Sequence, residues 1–217
     1  MRGEAQEADN GSGNAGANAG PRLRADARRN VDALLRAAMS VFSQSGVDAP
    51  IREIAERAGV GVGTVYRHFP QRSDLIAAVF RNEVDACADA APALAASHGP
   101  DEALRRWVEH YAGFIAAKRG LAAALHSGDA AYDTLPVYFD KRLRPALEGL
   151  LASAAAAGSI RAGVSANDLL SAVARLCTSP RDEEPARARG MVGLLLDGLR
   201  YDPRKSARSP ASGSDRA

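Results

Sequence analysis

At 217 residues, with 46% hydrophobic and 25% charged side chains, the chain has the composition of a folded globular protein able to bury roughly 70% of its unfolded surface. No apolar run approaches the ~20 residues a bilayer span requires, and the start Met1-Arg2-Gly3-Glu4-Ala5-Gln6-Glu7 lacks the apolar core of a secretory leader, so a cytoplasmic protein with no membrane partner is expected. A formal net charge of +2 does not by itself call for nucleic acid, yet nine arginines against five acids between Arg22 and Arg72 leave a local excess of four.

Residues 1–21 are rich in Gly, Ala, Asn and Glu with almost no large apolar side chain, so a flexible arm is expected there. Every apolar pattern from there to about residue 201 is helical, and no period-2 segment bounded by hairpin turns interrupts it, which predicts an all-α fold of about nine helices. From Asp26 to Gln44, Val31, Leu34, Leu35, Ala38, Val41 and Phe42 form one apolar stripe, and Gly46 ends the helix. Pro50, set in a first helical turn, starts a short helix over Ile51 to Ala58 that buries Ile54, Ala55 and Ala58. Gly59 breaks it, and a second short helix runs from Val62 to His68 before Pro70. Ser73 opens a long helix carrying Leu75, Ile76, Val79, Phe80, Val84 and Cys87, and Pro92, Gly99 and Pro100 mark the passage to the rest of the chain. Further helices are expected at about 101–118, 120–127, 132–157, 165–178 and 183–200, with Pro136 and Pro145 kinking or interrupting theirs.

Two short helices joined by a Gly turn and held between two longer ones make a helix-turn-helix. Its second helix is narrow enough for a DNA major groove while the first crosses the backbone. In the run Gly61 to Phe69, Val65 and Phe69 point inward, and Thr64, Tyr66, Arg67 and His68 offer hydrogen-bonding groups outward. Glycines at 61 and 63 allow close backbone approach.

The stretch from Ile51 to Leu75, with Gly63-Thr64-Val65-Tyr66-Arg67-His68-Phe69 at its centre, resembles the DNA-binding signature of TetR-type repressors, which are homodimers on palindromic operators. The resemblance covers about residues 26–75. It implies phosphate contacts from Thr64 and Tyr66, a place for His68 near the DNA backbone at the end of the recognition helix, and phosphate neutralisation by Arg72. Gly61, Val62, Gly63 and Arg67 fall at positions that face bases or adjacent backbone, so base readout would rest on Val62 against a thymine methyl and Arg67 against guanine. Arg28 and Arg52 complete the expected DNA-binding set, and Arg22, Arg24 and Arg29 either extend the footprint or are solvated charges. Where the family often carries Thr and Ser, this chain has Ala49-Pro50 and Gly61, so fewer phosphate contacts are implied there.

The C-terminal half carries no nucleophile elbow, phosphate-cradling Gly loop or metal cluster, and Cys87 and Cys177 read as structural thiols, so neither an enzyme nor a cofactor is expected. Trp107, Tyr111 and Phe114 share one helix face. In the family the middle helices enclose a cavity for a small-molecule effector, which makes Trp107, Tyr111, Phe114, Leu121, Leu125, His126, Tyr138 and Phe139 pocket candidates, with ordinary core packing as the alternative. The last two helices, with Leu169, Leu170, Val173 and Leu176, then Met191, Leu194, Leu195, Leu196 and Leu199, are too apolar for a pair covered on one side only. Doubled by a two-fold axis, they would form a four-helix dimer interface. The segment Gly158 to Leu170 also resembles C-terminal domains of a TetR subgroup.

The expected layout is an arm over 1–21, a TetR-type helix-turn-helix domain over 22–75, an effector-binding and dimerisation domain over 76–201, and a tail over 202–217 poor in apolar residues. The expected partners are an operator duplex, a second copy of the chain and an unidentified small-molecule effector. Two rivals stay open: a helical enzyme or ligand carrier, and a DNA-binding protein without an effector.

Overall fold

The computed structural model describes residues 19–178 and 185–200, with side chains from Arg29 onward except at 119, 120, 123 and 185. The expected arm and tail thus lie almost wholly outside the described residues, which contain helices and no strand.

Helix α1 (Ala19–Ser45) begins several residues before the first apolar position that signalled it. It ends where Gly46, at φ 78°, takes a left-handed conformation and donates its N–H to the Phe42 carbonyl. Helix α2 (Ile51–Ala58) follows, with Pro50 as N-cap instead of in the first turn and Ile51, Ile54 and Ala55 buried against α1. Gly59 closes it at φ 69°, and the next N–H, of Val60, reaches back to the Ala55 carbonyl at 3.0 Å. That turn sets the angle at which α3 (Val62–His68) leaves. Val65, 1% exposed, and half-buried Phe69 anchor α3 to the core.

Helix α4 (Arg72–Ser97), about 39 Å long at 1.5 Å per residue, is the spine of the molecule. Its N-terminus is fixed by a reciprocal capping box between Gln71 and Asp74. Pro92 does not end it: the helix continues through Ser97, and Ala91 just ahead of the proline is buried. One side of α4 packs on α1 and the rest on α5 (Pro100–Ala117) and α7 (Leu135–Ala156), so both halves of the chain share it. Between α5 and α7 lie a 3-10 turn at Lys118–Leu121, the short α6 (Ala122–Leu125) and a second 3-10 turn at Ala130–Tyr132. Pro136 falls in the first turn of α7, where its missing N–H costs little, and α7 runs unbroken past exposed Pro145. Helices α8 (Ala166–Thr178) and α9 (Pro185–Arg200) close the bundle against α5 and α7.

The core is continuous from Leu34 and Phe42 through Leu75, Val79 and Val84 to Trp107, Leu143, Leu147 and Val173. Two buried polar atoms in it are satisfied across helices. The Trp107 indole N–H donates to the Cys87 carbonyl at 2.8 Å, and the Tyr111 hydroxyl to the Leu170 carbonyl at 3.2 Å. No helix among the described residues is long and apolar enough to cross a membrane.

Candidate functional site

Helix α3 has only its inner face covered. Its outer face presents Tyr66, 51% exposed, Val62, 38% exposed, and exposed Arg67 and His68, with Thr64 half-buried beside them. Large side chains left in water on a short helix contribute nothing to the core, and Arg67 forms no ion pair with a described carboxylate. No side chain caps α3, which leaves the first N–H groups of the helix open to an acceptor from outside.

The glycines of this segment differ in kind. Gly59 is required by its positive φ. Gly61 has an ordinary φ of −73°, and a side chain at either Gly61 or Gly63 would meet no atom closer than the Thr64 hydroxyl at 4.0 Å from Gly61. The fold therefore does not need glycine at 61 or 63, and the bare backbone there suits an approach by something outside the protein.

The cations around α3 divide by what they touch. Arg52 is exposed on α2 and pairs with Glu56 at 2.9 Å, a surface contact worth about 0–1 kcal/mol that a phosphate can replace. Arg72 departs from expectation. Its guanidinium donates to the carbonyls of Val47 and Ala49, the latter at 2.8 Å, so it ties the start of α4 to the α1–α2 turn instead of standing free for a phosphate. Arg57, which the sequence did not single out, braces α2 on α1 through the Ser40 hydroxyl at 2.8 Å and the Gln44 side-chain oxygen at 3.1 Å. The Arg28 side chain lies outside the described residues.

Four of the effector candidates, Trp107, Tyr111, Phe114 and Phe139, form one aromatic cluster. Trp107 stacks on Tyr111 at 5.7 Å, and Tyr111, Phe114 and Phe139 stand 6.2 to 6.4 Å from one another. Trp107 and Tyr111 are 0% and 1% exposed, and burial pushes the Tyr111 phenol above its ordinary range. Leu121 is buried, and Leu125, Tyr138 and Phe139 are half-buried against the core. His126 is exposed and turned to the Ala122 carbonyl at 2.7 Å, away from the core. The Tyr138 hydroxyl donates to Asp85 on α4 at 2.6 Å, and Arg142 joins Asp85 and Asp89 at 2.6 and 2.8 Å, stitching α7 to α4. A separate cavity of about 330 Å³ opens between α5 and α9, with Leu104, Ile160 and Val192 among its walls, away from those candidates.

Of the expected interface residues, Leu169, Leu170, Val173 and Leu199 are buried within the chain itself. Leu194 is 73% exposed, and Leu176, Met191 and Leu195 are half-buried. Exposed Gly190 and Gly198, one helical turn on either side of Leu194, complete an outward face on α9.

A helix-turn-helix with an outward, polar second helix on an otherwise helical bundle defines a DNA-binding regulator. Comparison with known proteins agrees. Residues 34–79 match the family "Bacterial regulatory proteins, tetR family", and residues 99–201 match "Transcriptional regulator SbtR-like, C-terminal domain". A TetR transcriptional regulator of Streptomyces coelicolor is 42% identical, with the alignment covering 77% of this chain and 97% of that one at a TM-score of 0.68. A TetR regulator of Mycobacterium vanbaalenii is 37% identical over 82% of this chain and 99% of its own, with a TM-score of 0.63. An HTH-type transcriptional regulator of Staphylococcus aureus strain USA300 is 36% identical over 64 residues, which span 29% of this chain and only 35% of that relative. The chain belongs to the TetR family of transcriptional regulators, a family of DNA-binding proteins and not of enzymes.

Proposed function

We propose that the protein is a homodimeric repressor that binds a palindromic operator through α3 of each protomer and releases it on binding a small-molecule effector. The observation that carries the DNA part is the outer face of α3, where Val62, Tyr66, Arg67 and His68 stand in solvent on a helix anchored from behind by Val65. Thr64, Tyr66 and His68 hold phosphates, Gly61 and Gly63 admit the backbone, Val62 and Arg67 read bases, and Arg52 and Arg28 add charge at the flanks. Arg72 acts as a strut that positions α2 and α3 relative to α4. The boundaries 1–21, 22–75, 76–201 and 202–217 divide arm, DNA-binding unit, regulatory domain and tail.

One recognition helix reads few base pairs, so two must act together. Exposed Leu194 between Gly190 and Gly198 supports α9 as the meeting face, since small residues admit a second helix closely while Leu194 fills the gap. The effector site is placed at the half-buried end of the aromatic cluster, beside Phe114, Leu125, Tyr138 and Phe139, with Trp107, Tyr111 and Leu121 as its floor. A ligand there wedges α7 from α4, and α4 carries the DNA-binding unit. The coupling can be no larger than the ligand's preference for one arrangement over the other, typically 1–3 kcal/mol. Footprinting on the promoter of the protein's own gene tests the proposal. A protected palindrome with half-sites about one helical turn apart is expected, and uniform weak binding along the duplex would refute it.

A further inference from the structure

Lys118 ends α5, and its ammonium rests on aromatic carbon: 5.2 Å from the centre of the Phe80 ring and 6.0 Å from that of Phe139. No carboxylate among the described residues pairs with it, whereas Arg105, Arg106, Arg142, Arg144 and Arg200 of the same domain each hold one. Burial pulls this amine below its ordinary range. Ring faces return about 0.5–2 kcal/mol to a cation, less than a desolvated charge loses when water leaves it. The chain thus keeps an under-compensated positive charge at the edge of its aromatic cluster, against buried Phe80 and half-buried Phe139.

We propose that Lys118 is the charge-reading residue of the effector site, and that the effector is an organic monocarboxylate on an apolar or aromatic body. This rests on the effector-responsive reading above and adds the ligand's chemical class. The four-carbon stem of lysine is flexible, so lifting Nζ from the rings uncovers the Phe80 and Phe139 faces for the apolar body while the ammonium receives the carboxylate. One positive charge balances a monoanion. The other described cation at this end, Arg81, is already engaged, lying over the Tyr138 ring at 6.0 Å and donating to the Thr134 hydroxyl at 3.1 Å. Phe80 lies on α4 and Phe139 on α7, so the incoming group enters between the two helices whose spacing sets the DNA-binding unit.

The test uses the full-length protein and two matched pairs of probes, 4-phenylbutyrate with 4-phenylbutyramide and decanoate with decanamide, measured by titration calorimetry. Wild type should bind each acid at least about tenfold more tightly than its amide. Lys118→Met should bind acid and amide alike, and Lys118→Arg should keep the preference. Lys118→Met should also melt no lower than wild type, because an apolar stem of similar length replaces a desolvated charge. Neither acid binding, amides binding as tightly as acids, a preference that survives Lys118→Met, or a loss of more than about 5 °C in that variant would each overturn the inference. Operator affinity measured in parallel separates the two readings. Lys118-dependent acid binding that leaves operator affinity unchanged preserves the ligand class and removes the effector mechanism. Release of DNA by the amides, undiminished in Lys118→Met, does the reverse.

Discussion

The DNA-binding unit and the C-terminal bundle are both helical, but they use their surfaces differently. Among the described side chains of α1–α3 almost every large apolar one is packed inward, and on α3 a short row of Val62, Tyr66, Arg67 and His68 remains outside over backbone left bare by Gly61 and Gly63. In the bundle the aromatics are buried or half-buried, and the large exposed apolar side chains, Val137 and Leu194, stand singly. A DNA groove is a fixed target met by hydrogen bonds and charge, so its reader can be rigid and local. A ligand site or a protein partner is met by apolar area, which a soluble chain must keep largely covered until it is used.

Substitutions can break that contrast. The largest expected effect is on α3: Tyr66→Ala should weaken operator binding about 100-fold, since one charge-assisted contact worth about 1.5 kcal/mol is lost in each of two protomers. Its thermal unfolding should stay unchanged, because Tyr66 is 51% exposed. Fluorescence anisotropy and circular dichroism read the two, and a destabilised variant would make Tyr66 part of the core. Arg72→Ala should do what Tyr66→Ala does not, and lower unfolding stability by about 1–3 kcal/mol by leaving the Val47 and Ala49 carbonyls without their donor. A normal denaturant midpoint with poor DNA binding would instead return Arg72 to the phosphate role.

On the bundle side, Leu194→Lys should raise the dimer dissociation constant at least tenfold in analytical ultracentrifugation, while melting of the dilute protomer moves little. The smallest effect is expected from Arg52→Ala. It should cost less than about 1 kcal/mol in stability and shallow the salt dependence of DNA binding by about one ion per protomer. A large stability loss there would mean that the Arg52–Glu56 pair holds α2.

Legibility followed the same divide. Gly46, Gly59, Val65 and Phe69 were placed correctly from sequence because a turn glycine and a helical stripe act over a few residues. The Arg72 strut, the Arg57 brace and the Asp85–Tyr138–Arg142 network were missed because each joins residues 13 or more positions apart. The Gln71–Asp74 capping box joins near neighbours, but Gln at the cap and Asp three residues on depart from the Ser/Thr and Glu/Gln pattern that marks such a box in a sequence. The sequence predicts a boundary at Pro92 and a kink or interruption at Pro145, yet α4 and α7 continue through both. Packing on neighbouring helices supports α4 and α7 beyond what the local hydrogen bond supplied.

By itself the sequence determined that the chain is helical, where its recognition helix lies and which side chains that helix offers, since backbone propensity and a 3.6-residue period are properties of neighbours along the chain. Only the tertiary structure decided which apolar residues of α8 and α9 turn inward, that Leu194 is left out, and that Lys118 ends on phenyl rings with no counter-charge among the described residues. An apolar stripe states that a face must be covered, but what covers it depends on residues brought together from distant parts of the chain.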